Sequence, residues 1–493
     1  MTSIDVVTRH RSRSSLEKND NNDDAWSLLF RPPPNETEEE KRERLIQQQE
    51  ALRISREIDE SILESKKTWE KKKKAIKVLL LGQAESGKST MLRNFQMAFN
   101  PSYFEGERSV WRTIIQLNLI GSVKKLLTIL DEELDLQSAR SPKSASNYAS
   151  TSSAPPPPPP VEQGPLTDYH RRIRLRLLPL LSMETNLTRQ LLPENFDPSR
   201  VPELCVRAGS AWKSVLQRVT GSGQNSDQDP DNPRPSGHRR PNTVDARNKD
   251  DPTLVLAASC ADIVSLWQDA AVKQVLDQRG IRMEDQPGFF LDDTARVATA
   301  DYEPTEDDIV RARLRTFGVE EHRFVTDNGS EWYIYDVGGS RNMRPQWVPY
   351  FDDVQSIIFL APLAFNQTLD EDRNVNRLED SILLWKDVCR NPLMARAHII
   401  LFLNKMDILD KTLAAGIQVK TYVPSYGSAP NDVPHVTKYF KDKFKAYHKR
   451  LSPKPRSFFC HETSAIDTQA TQAVLVGVRE GILRNHLEKL NVI

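Results

Sequence analysis

Gly82-Gln83-Ala84-Glu85-Ser86-Gly87-Lys88-Ser89 fits the pattern GxxxxGK[ST], and its surroundings decide the fold. Immediately before it, Ile76-Lys77-Val78-Leu79-Leu80-Leu81 is a short, almost unbroken apolar run, as a parallel strand buried on both faces requires. Immediately after it, Thr90-Met91-Leu92 opens a helix. Strand, loop and helix in that order make a phosphate cradle. Backbone N–H groups around Gly87 and at the helix N-terminus wrap phosphate oxygens, Lys88 brings a point charge to the outer phosphates, and Ser89 can ligate Mg²⁺. Such loops serve ATP and GTP alike, so base choice has to be read elsewhere.

Working outward, Ser356 to Leu360, His398 to Leu403 and Arg456 to Cys460 read as further buried strands. His322 to Val325 and Trp332 to Tyr335 flank Asp327-Asn328-Gly329-Ser330, a hairpin turn signal. Amphipathic helical stretches separate the later strands. The expected core is therefore α/β, a mostly parallel sheet with helices on both faces. Roughly 210 residues separate the helix after the first strand from the strand near His322, whereas such connections usually take a handful. A second domain is expected there, in residues 101–310. Arg108 to Glu133, Asp168 to Leu181, Ala208 to Val219 and Leu254 to Gln278 have helical periodicity, so that domain is expected to be all-helical. Two low-complexity stretches interrupt it: residues 138–165, with the proline run 155–160, and residues 221–252, rich in Asn, Asp, Pro and Ser. The proline run suits an inert extended linker and also the docking of an SH3-like domain.

The sheet domain is thus expected in two parts, residues 76–100 and 311–493. Upstream, residues 1–35 are polar and cannot bury enough apolar surface to offset their ordering entropy, which predicts a disordered tail. Residues 36–75 contain neither Gly nor Pro and carry Ile54, Ile58 and Ile62 at four-residue spacing. They read as a long charged helix whose thin apolar stripe either packs on its own domain or meets a partner.

Composition agrees with a large chain that is partly unstructured. At 493 residues about three domains are expected, and 38% hydrophobic residues is below the roughly 45–50% of globular chains. Lys plus Arg (68) balance Asp plus Glu (68), so no global field attracts nucleic acid or an anionic membrane, and no nucleic-acid partner is expected. The four cysteines, Cys205, Cys260, Cys389 and Cys460, show no metal or disulfide spacing, which points to a cytosolic chain. No uninterrupted apolar run approaches the roughly 18 residues of a membrane span, and the polar start lacks a signal-peptide core.

Base choice is legible in Asn404-Lys405-Met406-Asp407, which leaves the end of a strand, where ligands sit in open α/β sheets. Asp407 is an acceptor-only carboxylate suited to the N1–H and 2-amino group of guanine, an arrangement adenine lacks. Asn404 is expected to tether the loop and the stem of Lys405 to cover the base. Thr463-Ser464-Ala465 follows the last strand and offers the Ala465 amide to the guanine carbonyl. In Asp336-Val337-Gly338-Gly339, Asp336 can hold Mg²⁺ through water, and the absent side chain of Gly339 lets a backbone N–H approach the γ-phosphate.

With these four elements in chain order, the sequence resembles the α subunit of heterotrimeric G proteins, a Ras-like P-loop GTPase with a large helical insertion. The resemblance runs from about Ala51 to Ile493 apart from the two low-complexity stretches. It includes Asp301-Tyr302-Glu303-Pro304-Thr305 and Arg311-Ala312-Arg313-Leu314-Arg315-Thr316-Phe317-Gly318. The resemblance makes this second segment the first switch, with an internal arginine finger at Arg313 and a second Mg²⁺ ligand at Thr316. It adds Thr90, Leu314 and Arg315 to the nucleotide-binding set, has Glu85 latch Arg313, and places Arg341 in the second switch. It also implies GDP/GTP switching with hydrolysis to GDP and phosphate. The partners implied are a βγ dimer on the N-terminal helix and second switch, a seven-helix receptor at Thr468 to Ile493, and an effector near the second switch.

The departures are as specific. Ala84 stands where the family usually has Gly, and Ser340 where it has the Gln that orients the attacking water, so slow hydrolysis is expected. Gln286-Pro287 replaces a Ser-Ala pair that brings the helical domain to the nucleotide, and Thr316-Phe317 replaces Thr-Thr. Thr2 stands where N-myristoylation needs Gly, with no Cys nearby for palmitoylation, so membrane attachment weaker than is usual for the family is expected, at the cytoplasmic face of the plasma membrane through partners. Lys66, Lys67 and Lys71 to Lys74 form either a solvated helix face or a contact with anionic lipid. Leu490 replaces a Cys that a bacterial toxin modifies in several members. Two rivals follow: a hydrolysis-deficient GTP-binding scaffold, and a P-loop ATPase or kinase, which Asp407 disfavours.

Overall fold

The computed structural model describes residues 37–100, 102–140, 165–191, 205–207, 252–326 and 329–489. The expected tail 1–35, the helical reading of 208–219, the proline run, and the low-complexity stretches apart from residues 138–140, 165 and 252 lie outside the described residues. The chain divides into two compact units, Met1–Lys74 and Ala75–Ile493. The described part of the first is one helix, α1 (Glu38–Lys74). It opens on a capping box: Thr37 N–H donates to Glu40 Oε2 at 2.8 Å and Glu40 N–H returns to Thr37 Oγ1 at 3.3 Å. Ile54, Ile58 and Ile62 lie exposed along it, as does Trp69.

In the second unit β1 (Ile76–Leu81) leads into α2 (Lys88–Phe99). A helical section follows, with α3 (Arg108–Arg140), α4 (Asp168–Leu191), strand β2 (Cys205–Arg207), α5 (Pro252–Gln268), α6 (Ala270–Gln278) and α7 (Glu306–Arg311). The chain then resumes as β3 (Arg315–Phe317), β4 (Val319–Val325), β5 (Glu331–Val337) and β6 (Ser356–Pro362). It closes with α8 (Arg377–Arg390), β7 (His398–Asn404), α9 (Met406–Ala414), α10 (Val433–Leu451), β8 (Phe458–Glu462) and α11 (Thr468–Lys489).

The sheet order is β4-β5-β1-β6-β7-β8, with β4 antiparallel to β5 and every other pair parallel. Every residue of β1 is buried, and alternate side chains serve opposite faces. Leu79 and Leu81 join Ile357, Phe359, Leu401 and Trp385 in one core, whereas Val78 and Leu80 join Met91, Phe95, Ile358 and Phe402 in the other. This double burial explains why the strand reads as a continuous apolar run.

The helical section has a core of its own, built on Trp111, Ile114, Leu177, Leu180, Ile263 and Val272. Glu105–Ser138 is long and apolar enough by length and composition to cross a bilayer, yet most of it is buried here, as in the core helix of a folded domain. The section is not wholly helical, however. The backbone of β2 pairs in parallel with β3, Cys205 opposite Arg315 and Arg207 opposite Phe317, which gives the edge of each short strand ladder partners. The expected strand at Arg456 to Cys460 starts two residues later. Arg456 instead donates to the carbonyls of Met394 and Cys389, each at 2.8 Å, and pairing begins at Phe458 opposite Ile399.

The return to the sheet is braced by Asp308. Thr305 and Asp308 form a capping box on α7, Arg296 donates to both Asp308 oxygens at 2.6 and 2.7 Å, and Tyr302 donates at 2.9 Å. Burial pushes the Asp308 carboxyl up, but these donors outweigh it and hold it at about 2.

Candidate nucleotide site

One cavity of about 660 Å³ gathers the residues that the sequence singled out. Ala84, Glu85, Gly87, Lys88, Ser89 and Thr90 line it from the loop after β1, and Arg313, Leu314, Arg315 and Thr316 from the stretch before β4. Val337, Gly339, Ser340, Asn404, Lys405, Asp407 and Ala465 complete the predicted set. Gly82, Gln83, Ser86, Asp336 and Gly338 are not on its wall. Asp336 acts from behind it through Ser89, and the Gly338 carbonyl accepts the Trp347 indole at 3.0 Å.

The loop is shaped by contacts that exclude side chains. Gly87 caps α2 at φ +100°, and a Cβ there would overlap the Asn404 amide. A Cβ at Gly339 would overlap the Gln83 carbonyl and the Lys88 ammonium. Lys88 Nζ donates to the carbonyls of Gly82 at 2.9 Å and Gln83 at 2.7 Å. Burial pulls its ammonium down to about 8, against the attraction of Asp336. Burial also pushes the Asp336 carboxyl up, with Lys88 opposing.

Three oxygens converge beside Lys88. Ser89 Oγ lies 2.6 Å from Asp336 Oδ2 and 2.9 Å from Thr316 Oγ1, and Thr316 Oγ1 lies 3.2 Å from Asp336 Oδ2. Asp336 Oδ1 is buried without a partner. Two hydroxyls and one carboxylate, whose second oxygen has no partner, are a donor set that fits a hard cation such as Mg²⁺.

Arg313 reaches Glu85, with Nη1 2.7 Å from Oε1. A second arginine, Arg377, shares that carboxylate and was not legible as a site residue. Buried at the start of α8, it donates to Glu85 Oε2 at 3.2 Å, to the Ala84 carbonyl at 3.1 Å and to the Thr368 carbonyl at 3.4 Å. Burial pushes Glu85 up, but Arg313, Arg377 and Lys405 outweigh it and hold it at about 2. The one local hint was an arginine at a helix N-terminus, where the macrodipole disfavours a cation. Arg93 on α2 was also missed. It donates to the carbonyls of Ile309 and Val310 at 3.1 Å and Ala312 at 2.5 Å, and its guanidinium stacks over Trp111.

Around Ser340 the polar groups are already engaged. Ser340 Oγ is 2.7 Å from Asn342 Oδ1, so the hydroxyl is satisfied inside its own turn. Arg341 and Arg344 both turn to Asp380, each at 3.2 Å from Oδ1. Gln286 and Pro287 do line the cavity, and Gln286 Oε1 accepts from Lys125 at 2.6 Å.

At the far end Asn404 is the hub. Its Nδ2 donates to the Ser86 carbonyl at 2.8 Å, while its Oδ1 accepts from the Thr463 hydroxyl and from the Ala465 amide, both at 3.1 Å. The Ala465 N–H, expected to face a base carbonyl, is therefore turned to Asn404 here. Ser464 Oγ donates to Asp407 Oδ1. Lys405 holds φ +62°, and burial brings its ammonium down to about 8.

Comparison with known proteins meets this geometry from outside. The family model for the G-protein alpha subunit matches residues 52–482. The chain is 32% identical to the guanine nucleotide-binding protein alpha-4 subunit of Mycosarcoma maydis, covering 85% of this chain and 84% of that one. It is 27% identical to the alpha-7 subunit of Caenorhabditis elegans over 90% of this chain and 97% of that one. It is 25% identical to guanine nucleotide-binding protein subunit alpha-15 of Mus musculus, over 91% and 96%. By its sheet and inserted helices, by the loops that meet in the cleft and by these matches, the chain belongs to the family of G-protein α subunits, the GTP-binding GTPases of signal transduction.

Proposed function

We propose that this α subunit switches between GDP and GTP forms and hydrolyses GTP slowly, relaying a signal from a seven-helix receptor to an effector. The observation that carries the reading is the meeting in one cavity of Lys88, Ser89 and Thr316, with Asp336 bonded to both hydroxyls from behind the wall, and Asp407. Lys88 and the loop amides take the phosphates. Mg²⁺, when bound, neutralises phosphate charge, and Ser89, Thr316 and, through water, Asp336 would hold it. Asp407 reads the guanine donors, Asn404 holds the two loops together, and Arg313 stabilises charge on the leaving oxygens.

Slow hydrolysis is supported by Ser340 and Ala84. The serine is too short to hold the water that a glutamine would orient, and its hydroxyl is spent on Asn342. The Ala84 methyl stands where the family has none. A βγ dimer on α1 and the second switch, a receptor at α11 and an effector near the second switch are the partners proposed from family membership. A cytoplasmic location is proposed from the unpaired Cys260, Cys389 and Cys460. Ser340 also favours the second reading, a hydrolysis-deficient scaffold. Single-turnover GTP hydrolysis by the purified chain, with GTP, GDP and ATP competing for the site, tests both. A measurable but slow rate supports the switch, the absence of cleavage favours the scaffold, and equal ATP and GTP affinity sinks both.

A further inference from the structure

Asn118 sits midway along α3, in the helical section, half-buried and turned toward the cleft rather than its own helix. Its carboxamide lies against the backbone of Arg313. Oδ1 accepts from the Arg313 N–H at 2.7 Å, and Nδ2 donates to the Arg313 carbonyl at 3.0 Å. Ala312 to Leu314 are neither helix nor strand, so Asn118 supplies hydrogen bonds to the N–H and C=O of Arg313 from outside any backbone ladder. The reciprocal pair also fixes which way the amide faces, since the flipped carboxamide would set donor on donor and acceptor on acceptor.

Gly288 packs against this contact. It holds φ +72°, and a Cβ there would lie 2.7 Å from Arg313 Cβ and 2.9 Å from Asn118 Oδ1. The Arg313 backbone is therefore held on α3 by Asn118, with the Gly288 turn packed against the contact, while its guanidinium reaches Glu85. An arginine tip hangs on four rotatable bonds, so its position is only as defined as the backbone beneath it.

We infer that Asn118 is a positioning residue for Arg313, fixing from the helical section where the guanidinium can meet the transferring phosphoryl group. The inference rests on the reading of Arg313 as the arginine finger. Misplacing a reacting group by about 1 Å can cost on the order of 10²-fold, so losing this clamp should show in the chemical step and not in ground-state binding.

The test is a mutant cycle on the full chain, measuring single-turnover cleavage of preloaded GTP and the affinity for a non-hydrolysable GTP analogue. Asn118→Ala should slow cleavage about 10- to 100-fold and leave affinity within about threefold. The double variant Asn118→Ala with Arg313→Ala should be no slower than Arg313→Ala alone, because the two side chains act through one group. Gly288→Ala, whose methyl would press on the Asn118 carboxamide and the Arg313 Cβ where they meet, should slow cleavage likewise and serves where Asn118→Ala does not fold. If cleavage by the parent is too slow to measure, binding of GDP with aluminium fluoride is read in the same cycle. A parental rate in both Asn118→Ala and Gly288→Ala overturns the inference, as does a loss that persists in full in the Arg313→Ala background. Arg313→Ala with the parental rate sinks instead the finger reading beneath it.

Discussion

The two ends of the cleft are built differently. At the base end hydrogen bonds within the protein tie Asn404 to Thr463 and Ala465, and Ser464 to Asp407. At the end where the outer phosphates belong, Ala84 and Ser340 depart from the family, and the Ser340 hydroxyl is absorbed by Asn342. Recognition groups and chemistry groups in one cavity thus meet different physical demands. A base pocket works by having acceptors already in place, whereas hydrolysis depends on a water placed to within a fraction of an ångström.

The contrast is broken most directly at Asp407. Asp407→Ala should erase discrimination of GTP over ATP, a change of about 10⁴-fold in relative affinity, because a site built for guanine donors leaves its carboxylate unpaired against adenine. Nucleotide competition on the variant checks it, and retained preference would mean that another group reads the base. At the opposite end Ser340→Gln with Ala84→Gly should raise the single-turnover rate by about 10²-fold and leave GTP affinity nearly unchanged. A parental rate already equal to that of the double variant would show that some other residue orients the water.

Each end has a buried lysine, Lys88 at the phosphates and Lys405 at the base, both brought by burial to about 8. In the nucleotide-free protein the unfolded chain keeps these protons up to its ordinary lysine value while the folded chain gives them up earlier. Their contribution to stability therefore rises with pH from about 8 toward 10.5. Phosphate needs the charged Lys88, so GTP affinity should fall over the same window, by at most about tenfold per pH unit. Affinity that stays flat from pH 7 to 9.5 would mean that the backbone amides carry the phosphate alone. The smallest effect is expected from deleting residues 141–164 and 221–251. Their composition cannot form a core, so GTP affinity should stay within about twofold. A large loss would tie them to the cleft.

Much of this was legible because it is local. The run from Ile76 to Ser89 carries strand, turn and helix start in fourteen consecutive letters, and the sheet strands announce themselves by burial on both faces. What stayed hidden acts across the chain. Arg377 meets Glu85 from 292 residues away, and Asn118 meets Arg313 from 195. In the sequence each is only a polar residue on an amphipathic helix. Gly288 is hidden for a further reason: its φ of +72° is visible only once the backbone is folded against Arg313. Ser340 was the reverse case, since the departure was plain in the letters but the partner of its hydroxyl was not.

The hydrogen bond from Asn404 to the Ser86 carbonyl, 2.8 Å long and spanning 318 residues of sequence, has a consequence for how the chain is born. The phosphate loop emerges early from a ribosome, but Asn404 and Ala465, which hold its rear wall, are made near the end. At about 5–20 residues per second the loop waits roughly 20–70 s for them. Until then nothing seals the cradle, and a nascent chain truncated before Ala465 should carry a complete GxxxxGKS sequence that cannot retain nucleotide.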